Sequence, residues 1–237
     1  MTTRKPVPQI AVADPDDAQF AQTGARGADA AALAVLRDTY RLLSATLVFS
    51  AAVAWLSASL KLPHPGLMLT LGGYFGLLFL TSYLRNSAWG LLSVFALTGF
   101  MGYTLGPIIA AYLSLPNGNE IVLTAMASTA TVFLALSWYA KQDNAIDMMR
   151  MGTFLMVGIL TAFCLGLAAF FFSMPALSLA VSAMFVLLMA GLIMYQTQDI
   201  LRGGERNYIS ATVTLFVAIF NLFTSLMHLM GMGGDDA

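Results

Sequence analysis

Charged residues are scarce in this sequence of 237 residues. Lysine and arginine number 11, aspartate and glutamate number 12, and charged residues make up 10% of the chain, whereas 59% is hydrophobic. A water-soluble domain has about 25% charged and ~45–50% apolar residues. A soluble fold cannot cover so much apolar surface, but a lipid bilayer accepts it on every side of a helix. The composition therefore predicts an all-α polytopic membrane protein.

Cysteine and metal-binding motifs are nearly absent. Cys164 is the single cysteine and lies in an apolar run, so there is neither a disulfide framework nor a thiolate cluster for zinc. No HExxH motif occurs, and no lysine in the last apolar segment could hold retinal as a Schiff base. The net charge of -1 argues against a nucleic-acid partner, which needs a clustered basic face. We expect no metal, no cofactor and no catalysis.

Seven apolar stretches recur along the chain, each long enough to cross ~30 Å of hydrocarbon as a helix. Short breaks rich in proline, glycine and polar residues separate them. The stretches cover about residues 42–60, 66–84, 88–115, 121–140, 151–172, 176–198 and 209–231. The sequence therefore predicts a bundle of seven transmembrane helices over residues 37–232.

The two ends of the chain differ in composition from the predicted bundle. Residues 1–36 carry three prolines and an acidic cluster, a composition too polar and broken to pack, so we interpret them as a flexible cytoplasmic tail. Residues 233–237 form a short periplasmic tail in this interpretation. Lysine and arginine are divided ten to one between alternate connections, with Lys61 as the exception, and the positive-inside pattern places the N-terminus in the cytoplasm. The expected location is a bacterial inner membrane.

The third segment contains a proline and several glycines. Pro107 lacks an N–H and frees the carbonyl of Tyr103 four residues earlier. That carbonyl marks either a packing kink or part of an ion path. The spacings Gly72-x3-Gly76 and Gly102-x3-Gly106 fit close helix packing.

Small and polar residues share one face of the seventh segment. Their spacings of four and three residues place them on one helical stripe, which we expect to face neighbouring helices or a hydrated cavity. The stripe consists of Thr214, Ala218, Asn221, Ser225 and His228. The fourth segment repeats the pattern with Thr124, Ser128, Thr131 and Ala135. Ser225 and His228 lack the separate elements and the oxyanion hole that a serine nucleophile requires.

No carboxylate lies at mid-membrane depth in this segmentation, and the deepest is Asp199 near the cytoplasmic end of the sixth segment. The simpler interpretation is a polar helix end at the interface. A sharper hypothesis pairs Asp199 with a nearby arginine to close a cytoplasmic vestibule. The candidate gate or interaction cluster is Arg85, Gln196, Asp199, Arg202 and Arg206.

Several segments resemble the Bax inhibitor-1 family of seven-span proteins, and within it the bacterial YccA-like branch. The resemblance covers about residues 34–232 and is carried by 36–40, 65–71, 98–108, 203–209 and 221–226. It implies a noncatalytic inner-membrane modulator that binds the FtsH protease complex and slows degradation of substrates such as the translocon. In that branch the N-terminal tail is the handle that the protease engages.

Other members of the family resemble a pH-gated calcium leak, the alternative function, with Ca²⁺ and H⁺ as ligands. The resemblance implies paired aspartates on the sixth and seventh spans and an arginine at the end of the second. This sequence has Gln196 and Ala218 at the aspartate positions and Arg85 at the arginine position. Without two carboxylates there is no shared proton to titrate, and Asp199, one turn along, is the nearest substitute.

Overall fold

The computed structural model describes residues 15–142 and 148–232. Within these ranges the chain forms seven helices and no strand. The helices are α1 (Pro15–Ser59), α2 (Leu67–Leu84), α3 (Trp89–Leu113), α4 (Gly118–Tyr139), α5 (Met148–Phe171), α6 (Pro175–Leu201) and α7 (Tyr208–Met232). All seven are long and apolar enough to cross a membrane, which confirms the predicted all-α bundle of seven spans.

Helix α1 is much longer than a bilayer requires. Its 45 residues measure about 68 Å, against ~30 Å of hydrocarbon. It begins at Pro15, inside the segment predicted as a tail. Proline is favoured in the first turn of a helix, and residues 28–34 are rich in alanine, the strongest helix former. Leu36 is already buried with Ile200 and Ala211. Residues 1–14 and 233–237 lie outside the described residues, and the division into tails and bundle stays a prediction.

The basic residues gather at one end of the bundle. Lys141 lies over the ring of Tyr40, 6.0 Å from its centroid, and the Tyr40 hydroxyl lies 3.5 Å from Thr197 Oγ1. We call this the basic end. It holds Arg37, Arg41, Arg85, Lys141, Arg150, Arg202 and Arg206, whereas Lys61 follows α1 at the opposite end. The clustering matches the predicted alternation of the loops, and the side of the membrane that this end faces stays a prediction.

Helix α7 forms the centre of the bundle. Half of its spanning window is buried, against 6% for α2, and it packs against α1, α3, α4 and α6. Leu215, Phe216 and Leu222 are fully enclosed there. Helix α2 lies at the periphery, packs mainly against α3 and buries only Thr81.

Glycines of α3 allow α1 to approach closely. A Cβ atom at Gly102 would collide with the carbonyl oxygen of Ser50. One at Gly106 would lie 2.7 Å from the carbonyl oxygen of Ala54. The prediction of close packing at Gly102-x3-Gly106 is therefore confirmed.

The same glycine spacing in α2 has a different outcome. Nothing lies within 4 Å of a Cβ atom built at Gly72 or Gly76, so the predicted close packing is wrong for this pair within the chain.

The stripe predicted for α4 faces outward. Thr124, Thr131 and Ala135 are exposed, because α4 instead turns the face that contains its buried residues Val122, Ala125, Thr129 and Ser137 toward the bundle.

Pro107 lies inside α3, which continues through it. The carbonyl of Tyr103, which loses its helical donor to the proline, accepts a hydrogen bond of 3.0 Å from the Ser57 hydroxyl of α1. Ser57 is itself buried. This contact favours the packing interpretation over an ion path, since a hydroxyl of a neighbouring helix satisfies the freed oxygen.

Candidate functional site

The connection between α6 and α7 is shaped by two glycines. Helix α6 ends with Arg202 as its C-cap residue. Gly203 adopts a φ of 75°, a left-handed conformation that glycine reaches without steric cost. Its N–H donates to the Ile200 carbonyl at 3.0 Å, and the N–H of Gly204 donates to the Asp199 carbonyl at 2.9 Å. These bonds satisfy carbonyls at the helix end and turn the chain sharply toward α7.

Asn207 fixes this connection to the rest of the basic end. Its Oδ1 accepts hydrogen bonds from the N–H groups of Ile209 (2.9 Å) and Ser210 (3.1 Å), which makes it the N-cap of α7. Its Nδ2 donates to the Arg85 carbonyl at 3.1 Å and to Asn86 Oδ1 at 2.8 Å. One side chain therefore holds the start of the central helix to the turn between α2 and α3. Asn207 lies within segment 203–209 of the family resemblance, but the sequence alone predicts no role for it.

Asp199 contacts the α6–α7 connection. A Cβ atom at Gly204 would collide with its carboxylate. Among the described side chains, no ion pair joins Asp199 to Arg85 or Arg206, and Arg206 Nε donates to the Gly203 carbonyl at 3.1 Å. The hypothesised closure of a vestibule is therefore not made through these two arginines. The cluster as a gate or interaction surface stays a prediction.

Uncharged polar side chains are buried between helices near the basic end. Gln196 and Gln198 of α6, Thr39 of α1 and Ser137 of α4 each have at least one buried polar atom without a hydrogen-bond partner in the protein. Such atoms are uncommon, because each costs about 1–3 kcal/mol. Of these four residues, only Gln196 is a candidate site residue from the sequence. The burial of the others depends on contacts between distant helices, which helical periodicity does not report.

The polar stripe of α7 faces neighbouring helices. Ala218 and Ser225 are buried, and Thr214, Asn221 and His228 are half-buried. Thr214 donates to a carbonyl of its own helix at 3.1 Å, and Asn221 does so at 2.8 Å. Two of the polar groups are therefore satisfied within α7 rather than between helices.

His228 joins three helices at the end opposite the basic end. Its Nδ1 lies 3.3 Å from the hydroxyl of Tyr112 in α3, and its Nε2 lies 3.1 Å from the hydroxyl of Ser178 in α6. Both ring nitrogens are thus used in contacts with hydroxyl groups of other helices. Ser225 is not a partner of this imidazole, and the arrangement is that of an interhelical clamp.

We expect Tyr112→Phe and Ser178→Ala each to destabilise the folded protein by about 0.6 kcal/mol, with an upper value of ~1.7 kcal/mol, the range of hydrogen bonds between membrane helices. Thermal unfolding in detergent would measure both. A double-mutant cycle with His228→Leu gives the coupling to each hydroxyl. Single variants indistinguishable from wild type, without coupling to His228, would show that the clamp contributes nothing.

Comparisons with known proteins agree with this architecture. The model of the family described as "Inhibitor of apoptosis-promoting Bax1" matches residues 33–235. An uncharacterized protein of Pseudomonas aeruginosa is 51% identical over 85% of this chain and 91% of its own length. The "Modulator of FtsH protease YccA" of Escherichia coli strain K12 is 47% identical over the same shares. An "Uncharacterized membrane protein" of Vibrio cholerae is 36% identical over those shares as well.

The same family is indicated by the family model, by the relatives and by the seven spanning helices. The match covers residues 33–235, which include the first span from residue 33 onward and the other described spans whole. The chain belongs to the Bax inhibitor-1 family and is similar to its YccA-like bacterial members.

Proposed function

We propose that this protein is a noncatalytic inner-membrane modulator, acting as an inhibitor, of an FtsH-type ATP-dependent protease. The observation that carries the proposal is the 47% identity, over 85% of the chain, to the protein named a modulator of FtsH protease. Another YccA relative of the same identity is named an inner membrane protein. The clustering of lysine and arginine at the basic end supports a cytoplasmic N-terminus and a periplasmic C-terminus.

The interior of the bundle supports a role in binding rather than chemistry. Every buried polar side chain of the described residues is a serine, threonine or glutamine. The imidazole of His228 lies between two hydroxyls, and neither contact supplies the carboxylate that orients a catalytic histidine. Activity through association with a larger enzyme requires no reactive centre in this chain.

The start of α1 is the proposed handle for the protease. The family match begins at residue 33, whereas α1 begins at Pro15, so the first part of this helix lies outside the matched region, at the basic end. Residues 15–28 of this helix precede the first spanning segment, which begins at Asp29. An ATP-dependent protease whose catalytic domains lie on that side could engage it without unfolding the bundle.

We expect the full chain to co-purify with the FtsH-type protease of its host and to slow the turnover of a membrane substrate such as an unassembled translocon subunit. Deletion of residues 2–28 should weaken both effects, because it removes the proposed handle and leaves the spanning helices. Deletion of residues 233–237 is the matched control at the other end of the chain. Unchanged substrate turnover at high expression of the full chain would contradict the proposal.

A pH-sensitive calcium or cation leak is the second candidate function. The observation that favours it is the group of buried polar atoms without protein partners on Thr39, Ser137, Gln196 and Gln198, since such groups suit a hydrated path. Calcium flux into liposomes at acidic and neutral pH tests it. A rate equal to that of empty vesicles at both pH values removes the leak, and Asp199→Asn should alter the pH response only if the leak exists.

A further inference from the structure

A cavity of about 70 Å³ lies between α2 and α7 at the basic end. Its polar lining comprises Thr81, Ser82, Arg85, Ser210 and Thr214. About 10–15 Å³ of such space holds one water, so the cavity has room for roughly five atoms of oxygen size. A phosphate group has that size.

The lining offers hydrogen-bond donors and no negative charge. Arg85 forms no ion pair with any described carboxylate, and no aspartate or glutamate lines the cavity. The hydroxyls of Ser82 and Ser210 have no partner among the hydrogen bonds of the described residues, whereas Thr81 and Thr214 donate to carbonyls of their own helices. A guanidinium and two free hydroxyls suit a ligand rich in acceptor oxygens.

Asn207 holds the two walls of this cavity together. It bonds the Arg85 carbonyl on the α2 side and caps α7 beside Ser210 on the other side. The backbone segments that carry Arg85 and Ser210 are therefore held in place without a ligand, so binding has to order only the side chains.

The position of the cavity indicates a lipid as the source of the phosphate. Ser82 and Arg85 are exposed at the end of α2, the helix with the least buried surface. Leu78 continues the wall toward the membrane centre, and Phe75 meets Phe163 of α5 at 5.8 Å between ring centroids. From Arg85 to Phe75 is ten residues, ~15 Å of helix. That is half of the ~30 Å hydrocarbon core, the depth of one leaflet.

We propose that this cavity binds the phosphate group of a membrane phospholipid, with Arg85, Ser82 and Ser210 as donors and the acyl chains along α2. The site is independent of the proposed handle for the protease: it shares Arg85 with the candidate gate or interaction cluster, but it uses neither the start of α1 nor the polar groups between the helices. The lipid-binding experiment and the substrate-turnover experiment can therefore fail or succeed independently of each other.

The test uses the full-length protein, delipidated in detergent and titrated with phosphatidylglycerol, with bound lipid counted by native mass spectrometry. Arg85→Gln should weaken binding of the tightest lipid by about tenfold or more, since it removes a charge-assisted hydrogen bond. Arg37→Gln is the matched control at the basic end. That arginine is exposed and paired with Asp38, so binding should stay within about twofold of wild type. Equal weakening in both variants would overturn the site.

A second variant and a competitor complete the test. Ser82→Leu places an apolar side chain at the exposed mouth, where a lipid-facing helix tolerates leucine, and should weaken binding while Arg85 remains. Inorganic phosphate at millimolar concentration should leave the bound phosphatidylglycerol in place. Displacement by free phosphate would show a site for the soluble ion, and unchanged binding in both cavity variants would show that the lipid lies elsewhere. Either result overturns the proposal.

Discussion

Replacing Gly106 by alanine is expected to destabilise the folded protein by about 1–3 kcal/mol, the usual cost of forcing an extra carbon into a packed interior. The new Cβ would lie 2.7 Å from the Ala54 carbonyl oxygen and 2.6 Å from Ser57 Cβ, so α1 must move away from α3. Gly102→Ala should have a similar effect, because its Cβ meets the carbonyl of Ser50. Unfolding in increasing proportions of sodium dodecyl sulfate, followed by circular dichroism, measures both changes.

The chain contains its own control for this experiment. Gly72 and Gly76 have the same spacing in α2, with nothing within 4 Å of the added Cβ. Alanine there should be neutral or should stabilise the helix by up to ~1 kcal/mol, because glycine is the poorer helix former. Equal stability of the α3 and α2 variants would contradict the close contact between α1 and α3. Loss of stability in the α2 variants alone would show that the α2 glycines, and not those of α3, lie against a neighbouring helix.

Replacing Asn207 by alanine is expected to destabilise the protein by about 1.5–5 kcal/mol. The loss of an N-cap costs about 0.5–2 kcal/mol, and each of the two hydrogen bonds to the α2–α3 turn contributes roughly 0.5–1.5 kcal/mol. The effect is large for a single polar residue because the helix that it caps is the one on which the others pack. The same unfolding measurement applies, with limited proteolysis of the α6–α7 connection as a local readout.

Asn207→Asp separates the two functions of this side chain. The aspartate keeps an oxygen that accepts from Ile209 and Ser210, and its charge suits a helix N-terminus. It loses the amide donor to Arg85 and Asn86, so its stability should lie between wild type and the alanine variant. An alanine variant within about 0.5 kcal/mol of wild type, the range of ordinary surface changes, would show that the connection is held by other contacts.

The number of helices was predictable because hydropathy and charge are properties of long segments. Each span sums the contributions of about twenty residues, so an error at one position changes little. The clustering of basic residues at one end was predictable too, because it depends only on which connections carry lysine and arginine. The start of α1 was not predictable by this route, since alanines at 28–34 favour a helix that hydropathy does not require.

The candidate site depends on pairs that are distant in the chain. Asn207 and Asn86 are separated by 121 residues, and His228 and Ser178 by 50. Helical periodicity predicts which residues share a face of a helix, but not which neighbouring helix covers that face. The two glycine pairs illustrate this, because their spacing is identical and only the pair in α3 lies against the backbone of another helix. Ala218 and Ser225 of the α7 stripe are buried, whereas Thr124, Thr131 and Ala135 of the similar α4 stripe are exposed.

The central helix is also the last of the seven described helices to be synthesised. Translation delivers α1 to α6 to the membrane before α7, yet α7 supplies the surface against which α1, α3, α4 and α6 pack. Until it inserts, the carbonyl of Thr39 lacks the Thr212 hydroxyl that lies 3.3 Å from it in the finished bundle, and Ser178 lacks its imidazole. A chain truncated before Tyr208 would leave six helices around an unfilled axis, and such a product should be degraded soon after release from the ribosome.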